Sequence, residues 1–251
     1  MLVNDTFRRV RHWLVFLPVI AAFASPAYAQ YEVAEIPVFN TPEGTAALGG
    51  GLRLGQDLYI AADNEDRRQF DLVPLYLYNG RYVFFRGTAG GVHLLSSDNV
   101  EFNVMGRYRF AKLDPDRNAF FEGLEKRRQT VDGGVELRLR GGWGEVNANY
   151  LTDTLNRHKG QSAEVSYRYT FDRGRFSFSP FITWALNDDK LTNYYYGVTA
   201  AEARPDRPEY TPGESQWIGF GMNTTWWVTD RVQFFANLGF NGVDTVVSDS
   251  P

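Results

Sequence analysis

The sequence contains no cysteine, which excludes a disulfide, a thiolate metal site and the lipid anchor of a lipoprotein. Downstream of residue 29 it has two histidines, His93 and His158, and neither has a histidine, cysteine or acidic partner at the spacing of metal ligands. The G-x-S-x-G elbow of hydrolases and the phosphate-binding P-loop are also missing. We therefore predict no catalytic, cofactor-binding or metal-binding residues, and a protein that is not an enzyme.

Long apolar runs and an excess of positive charge are missing as well. After residue 30, no segment holds the run of roughly 18 apolar residues that a transmembrane helix requires. The net charge is −4 and there is no basic stripe, which excludes a nucleic-acid partner. The chain does have 16% aromatic residues and 24 glycines, a composition that is typical of all-β proteins.

The first 29 residues have the pattern of a signal peptide. Basic residues at positions 8, 9 and 11 precede the apolar run 13–24, and Ala27 and Ala29 supply small residues at the cleavage positions. The run is too short to span a bilayer as a helix. We predict a signal peptide over residues 1–29 that is cleaved before Gln30, and export to the outer membrane of a Gram-negative bacterium. Residues 30–251 then form a single outer-membrane β-barrel domain.

Alternation of polar and apolar residues is the strongest pattern in the chain. In residues 131–140, Val135 and Leu137 face one way while Glu136 and Arg138 face the other, which is the period of a β-strand. Strands of ten or more residues match the ~9–11 that cross an outer membrane at a tilt, although a soluble β-sandwich is the alternative. The other predicted strands are residues 46–59, 68–78, 82–95, 100–110, 143–152, 162–171, 175–186, 215–228 and 232–243.

The lengths of the connections predict the direction of each strand. Tight turns at residues 141–142, 172–174 and 229–230 alternate with longer loops at residues 111–126, 155–159 and 187–214. Short turns are periplasmic in outer-membrane barrels. The strand at 46–59 is then expected to run towards the periplasm, after an earlier strand within 31–39, and a further strand is expected beyond Pro251. We predict a transmembrane antiparallel up-and-down β-barrel of about 12 strands whose last strand is missing, so that the domain is C-terminally incomplete.

Charged residues of both signs fall on the predicted inward face of the strands. A barrel of about twelve strands has a narrow lumen, so we expect these residues to pair and largely to fill it, with a small pore as the alternative. The inward-facing charged residues are Glu101, Arg107, Arg109, Asp132, Glu136, Arg138, Arg140, Glu164 and Arg168.

Two other features allow a chemical interpretation. A membrane-embedded hydrolase could use His93 with Ser96 or Ser97, although a lone histidine near a strand end is usually a loop or interface residue. The acidic stretch 63–66 could bind a divalent cation, but a solvated turn is favoured because two arginines follow it.

The longest loop carries a motif made of Tyr194, Tyr195, Tyr196, Gly197, Val198, Tyr210 and Gly213. This motif resembles that of the MltA-interacting protein (MipA/OmpV) family of outer-membrane proteins. Residues 58–60 depart from the turn that family members commonly carry, and the family's last strand, which ends in an aromatic residue, is missing here.

The resemblance implies a non-enzymatic scaffold that links a murein-lytic transglycosylase with a penicillin-binding murein synthase in peptidoglycan growth. Other members look like pores or adhesins, so a passive or substrate-selective outer-membrane pore, or an adhesin, is the alternative. The family has no agreed catalytic or ligand residues, and none are carried over. Besides outer-membrane lipid, the expected partners are these two murein enzymes, and the expected contact surface is the acidic segment 30–43 with the tight turns.

Overall fold

A computed structural model describes residues 14–20, 44–56, 68–117, 119–229 and 232–251. Strands form one sheet in these residues, and each strand is hydrogen-bonded to the next along the chain, except that the short strand at residues 171–173 and the strand before it both pair with the strand that follows. The strands are β1 (Leu14–Ile20), β2 (Thr45–Gln56), β3 (Arg68–Asn79), β4 (Val83–Arg86), β5 (Ala89–Ser96), β6 (Val100–Arg109), β7 (Thr130–Gly141), β8 (Gly144–Asp153), β9 (Gln161–Arg168), β10 (Phe171–Arg173), β11 (Phe176–Asn187), β12 (Ser215–Trp227) and β13 (Gln233–Val243).

The pairing from β2 to β13 is antiparallel throughout. β9 and β10 pair with β11 in one continuous register, since Arg168 lies opposite Phe181 and Phe171 lies opposite Phe178. They therefore form a single strand that is interrupted at residues 169–170. Counted in this way, about eleven antiparallel strands lie in the described part of the chain, close to the predicted positions.

The prediction of one strand over residues 82–95 is wrong. The chain folds back at residues 87–88, so that β4 and β5 form a hairpin in which Val83 lies opposite Val92. Gly87 makes the tight turn possible with a φ of 63°, a backbone conformation that other residues rarely adopt. The extra strand reverses the direction of everything before it, so β2 runs opposite to the predicted direction.

The two ends of the sheet differ in their connections. The loop end carries the long connections at residues 110–129, 154–160 and 188–214, together with helices α1 (Asp189–Tyr196) and α2 (Thr245–Ser248). The turn end carries short connections at residues 97–99, 142–143, 174–175 and 228–232. Thr45 pairs with Asn79 at the turn end, so β2 begins there. The predicted strand within 31–39, the acidic stretch 63–66 and residues 58–60 lie outside the described residues.

Both β2 and β13, at the two edges of the antiparallel sheet, lie next to β1. β1 pairs in parallel with β2 and also lies beside β13. No hydrogen-bonded ladder joins β13 to β1 or β2 among the described strands, so closure into the predicted barrel is not seen. β1 is part of the apolar run that the sequence assigns to the signal peptide. Within the described ranges, no helix has both the length and the apolar character needed to cross a membrane.

Candidate functional site

The polar face of the sheet is the buried one. In β6, Glu101 and Arg107 are 5% and 6% exposed, whereas Phe102 and Val104 between them, at 36% and 43%, face outward. Alternation with period two puts these sets on opposite faces. A soluble sheet buries its apolar face, so this arrangement is inverted. The buried apolar residues instead form small clusters, such as that of Phe84, Ala89, Met105 and Leu151.

Glu136 is the centre of the buried charged network. Its carboxylate accepts hydrogen bonds from Arg86 at 3.2 Å and from Arg138 at 2.9 Å. Asn103 and Asn147 donate to the same carboxylate at 2.6 and 2.7 Å. Four donors from four different strands therefore converge on one fully buried side chain. Such a satisfied carboxylate fixes the strands that supply its donors.

From this centre the network continues to the turn end as alternating charges. Arg86 pairs with Glu101 at 3.0 Å, and Glu101 pairs with Arg140 at 2.9 Å. Glu145 then joins Arg140 and Arg168 at 2.9 and 2.8 Å. The sequence analysis did not single out Arg86 or Glu145. Arg86 was hidden by the missed hairpin, while the polar–apolar alternation of residues 145–149 was a signal that could have identified Glu145.

Towards the loop end the network joins further strands. Arg107 lies 3.6 Å from Glu164, and Arg109 pairs with Asp132 at 2.7 Å. Arg109 also donates to Ser162 at 3.3 Å. The structure thus brings all nine predicted inward-facing charged residues onto one buried or half-buried face and gives each an opposite charge.

His158 has an acidic partner that the sequence did not reveal. Its Nε2 lies 3.0 Å from Asp132, and the ligand atoms of Asp132, Asp153 and His158 all lie within 4.8 Å of one another. The atoms that would bind a metal already have hydrogen-bond partners in the protein, however. Nδ1 of His158 accepts the N–H of Gly160 at 3.0 Å, and Arg109 holds the other oxygen of Asp132. A cation here would have to break the hydrogen bond between His158 and Asp132 and lie near the Arg109 guanidinium, so this cluster favours a structural interpretation over a metal site.

His93, the other histidine considered, is also engaged. Its Nδ1 lies 2.7 Å from Oδ1 of Asn103, and its ring lies 5.0 Å from that of Phe84. The hydroxyl of Ser97 bonds the backbone of Val100 within its own turn. These contacts account for both side chains within the hairpin and its turn.

The opposite wall of the interior is polar but uncharged, and sequence reasoning missed it. These residues alternate with apolar ones in the predicted strands, but short amides and hydroxyls among glycines give no charge pattern that marks a face. Asn237 donates to Asn223 at 2.5 Å across β12 and β13. The buried neutral residues of this wall include Ser179, Thr183, Asn187, Ser215, Asn223, Thr225, Gln233 and Asn237.

The long connections lock together into a structure that we call the loop-end cap, made of residues 110–129, 154–160 and 188–214. Arg207 is completely buried and donates to the carbonyl oxygens of Phe120, Glu122 and Glu202 at 2.6, 3.1 and 2.9 Å. Burial and the neighbouring Arg204 both lower the pKa of the Arg207 guanidinium. One buried cation therefore ties the first loop to the third.

Glu202 supplies a buried negative charge to the same cap. It pairs with Arg127 at 2.9 Å and accepts N–H bonds from Glu125 and Thr199. Burial acts to raise the pKa of the Glu202 carboxyl, but these N–H donors, the Thr199 hydroxyl and Arg127 outweigh it and hold the pKa below its ordinary value. The carboxylate is therefore the form that the cap requires.

The residues of the family motif build the same cap. The Tyr194 hydroxyl accepts the N–H of Arg128 at 2.9 Å, and the Tyr195 hydroxyl donates to the Arg128 carbonyl at 3.3 Å. Both tyrosine rings pack near the ring of His158. The remaining contacts are those of Tyr196 with Ser250, of Gly197 at the end of α1, of Val198 bridged to Tyr210, and of Tyr210 with Val246, whereas Gly213 lies exposed in the loop.

Known proteins share this chain's sequence over most of its length. YiaT of Escherichia coli strain K12, described as an outer membrane protein, is 24% identical over 93% of this chain and 90% of its own. Outer membrane protein Omp26La of Vibrio anguillarum is 28% identical over 82% of this chain and 90% of its own. The MltA-interacting protein of E. coli K12 is 23% identical over 83% of this chain and 84% of its own. No solved structure matches.

The family comparison agrees with these relatives. The family described as MltA-interacting protein MipA matches residues 48–251, which include every strand from β3 to β13 and both helices. The motif at residues 194–213 lies within the matched range. The chain therefore belongs to the MltA-interacting protein MipA family of outer-membrane proteins.

Proposed function

We propose that this protein is an exported outer-membrane β-barrel that links a murein-lytic transglycosylase with a penicillin-binding murein synthase and has no enzymatic activity of its own. Family membership carries the scaffold role, since one relative is named for its interaction with MltA. The inverted burial of the sheet supports the barrel, because exposed residues such as Ile182 and Phe220, at 51% and 57%, suit a lipid-facing surface.

The proposed orientation puts the turn end in the periplasm and the loop-end cap outside the cell. Short turns are periplasmic and long loops extracellular in barrels of this class. Segment 30–43 is the proposed docking surface, and Gly44, the described residue that follows it, lies at the turn end because it bonds Asn79. On this proposal, residues 1–29 are removed before Gln30, which takes β1 away from the edge of β2.

A pore is the second candidate, because the interior is polar and its neutral wall holds buried groups without partners, such as Oγ1 of Thr225. The charged network and the cap argue against an open channel, since ion pairs join nearby strands along one face of the interior and the long loops bond one another at the loop end. We expect no conductance steps from the refolded protein in a planar bilayer. Discrete steps would favour the pore over the scaffold.

The scaffold is tested by pull-down with purified partners. The chain is purified in detergent with and without residues 30–43, and each form is incubated with a lytic transglycosylase and a penicillin-binding synthase of the same host. We expect the full chain to retain both enzymes and the deletion to lose at least one. Equal recovery from both forms would move the docking surface elsewhere, and no recovery from either would overturn the scaffold.

A further inference from the structure

A cavity of about 460 Å³ opens at the turn end of the sheet. Its walls come from the β7–β8 turn, the junction between β9 and β10, and the turn-end residues of β11 and β12. The volume falls within the roughly 300–1,000 Å³ of small-molecule sites. We call this cavity the turn-end vestibule, and the lining residues that matter here are Arg140, Glu145, Arg168, Thr170, Ser177 and Trp227.

One wall of the vestibule is charged and fixed in place. Arg140 and Arg168 each hold one oxygen of Glu145, at 2.9 and 2.8 Å. Arg140 also pairs with Glu101 at 2.9 Å. Because every one of these charges is matched, the wall offers an ordered array of donors and acceptors with no cation left over for a phosphate or other anion. It suits a neutral ligand that is rich in hydroxyl groups.

The facing wall carries hydroxyl groups, the carboxylate of Asp172 and an aromatic side chain. Thr170 shares a hydrogen bond with Ser179 at 2.9 Å, and the Ser177 hydroxyl donates to Asp172 at 2.6 Å. Trp227 is 40% exposed, so its indole is available to a ligand. A flat aromatic face with hydroxyl groups beside it combines apolar contact with hydrogen bonding.

Two buried polar oxygens lie beside this wall without protein partners. Thr225 lies opposite Ser177 and Gln233 lies opposite Trp227 in the strand register. These side chains are only 1% and 8% exposed, and Oγ1 of Thr225 and Oε1 of Gln233 make no hydrogen bond within the described residues. Buried polar atoms nearly always have a partner, and neither of these two side chains lines the vestibule, so ordered water is the expected partner.

We propose that the turn-end vestibule binds a glycan segment of one or two pyranose rings. The indole of Trp227 packs against the apolar C–H face of a ring, while Arg168, Glu145 and the hydroxyls of Thr170 and Ser177 bond the ring hydroxyls. An apolar ligand would leave the charged wall unsatisfied, and an anion would compete with Glu145 for its arginines. The site does not depend on the scaffold role. A murein strand and a free oligosaccharide share this chemistry, and the experiment separates them.

Isothermal titration of the full chain in detergent micelles tests the site. The probes are disaccharide-peptides from muramidase-digested murein and, separately, maltohexaose. We expect saturable binding of at least one probe, weakened at least tenfold by Trp227→Ala. Trp226→Ala is the matched control, because the neighbouring indole faces outward and stacks on Phe176, and it is expected to bind as the native chain does.

The pattern of binding of the two probes distinguishes the possible ligands. Binding of the murein fragments alone identifies murein as the source, and binding of maltohexaose identifies a general oligosaccharide site. Binding of neither, or equal binding by Trp227→Ala, overturns the proposal. If Trp227→Ala does not fold, as judged by heat-modifiable gel mobility, Ser177→Leu takes its place, since the larger side chain fills the cavity. Pull-down of the murein enzymes is expected to be unchanged in either variant, so failure of the glycan site and failure of the scaffold are distinguishable.

Discussion

Single charged residues stabilise the interior of this protein because each is paired with an opposite charge. Glu136 is the clearest case, because four donors from different strands depend on one carboxylate. A buried ion pair contributes little compared with an apolar pair of the same shape, but losing one partner leaves the other charge buried and uncompensated. The interior is therefore sensitive to neutralisation of any central member and insensitive to changes at its exposed margins.

Glu136→Gln is expected to lower the free energy of unfolding by about 3–5 kcal/mol, the cost of breaking a buried pair. Arg86 and Arg138 would then face an uncharged amide. Urea unfolding in micelles, followed by tryptophan fluorescence, measures the change. Lys126→Gln is the control: Lys126 is half exposed and pairs with Asp114 at 2.9 Å, so its loss costs about 0–1 kcal/mol. A similar, small effect of both substitutions would contradict the central role of Glu136.

Glu202 makes the loop-end cap sensitive to acid. Its pKa is below the ordinary 4.5, so its contribution to stability is fully present above pH 4.5 and is lost as the pH falls through the lowered value. We expect amide hydrogen exchange in residues 188–214, referenced to unfolded-peptide rates, to be faster at a pH below this lowered pKa than at pH 7. Glu202→Gln should loosen the cap at both pH values, whereas Glu209→Gln, at an exposed position of the same loop, should not. Equal protection of the native cap at both pH values would refute this.

At the scale of elements, the hairpin of β4 and β5 has the largest effect on topology. The hairpin shifts the alternation by one residue, because Phe84 and Arg86 are buried before the turn and Ala89 is buried after it, but the apolar and small residues around the turn hide this change of phase in the sequence. The chain reverses direction at Gly87, and this reversal sets the direction of β2 and β3. β3 meets β4 over only three residue pairs, so these first strands are joined to the rest through a short ladder.

A disulfide tests the hairpin directly, because the native chain has no cysteine. Val83 and Val92 lie directly opposite each other. Opposed residues are about 4.5–5.5 Å apart at Cα, within disulfide range, whereas one straight strand would put them roughly 30 Å apart. We expect Val83→Cys with Val92→Cys to cross-link on oxidation, seen as a reductant-sensitive shift in gel mobility. Val83→Cys with Leu95→Cys should not cross-link, and failure of the first pair would contradict the hairpin.

At the scale of the whole molecule, the inverted burial favours the proposed membrane barrel over a soluble sandwich. The outward face presents aliphatic and aromatic residues along neighbouring strands, as at Ile182 opposite Phe220, while the charges lie inside. In water this arrangement would expose its apolar surface and bury its charges. In a bilayer each surface faces the medium that suits it.

Ile182→Arg is therefore expected to impair folding into lipid vesicles by about 2–4 kcal/mol, the cost of a cation near the bilayer midplane. The folded fraction is measured from heat-modifiable mobility on gels after refolding. Ile182→Leu keeps the apolar surface and is expected to fold as the native chain does. If Ile182→Arg folds equally well, or if the native chain folds in water without detergent, the soluble sandwich is favoured instead.

The sequence by itself determined most of the strands and their two faces, because alternation is local and each residue's side follows from its neighbours, although it merged β4 and β5 into one strand. It placed Glu101, Glu136 and Arg138 on the interior in this way. Only the tertiary structure decided which charges meet, since Arg86 reaches Glu136 across 50 positions. The same holds for the cap, where Arg207 reaches Phe120 across 87 positions. Contacts at such separations depend on strand order and on the single turn at Gly87, and no periodicity in the chain records them.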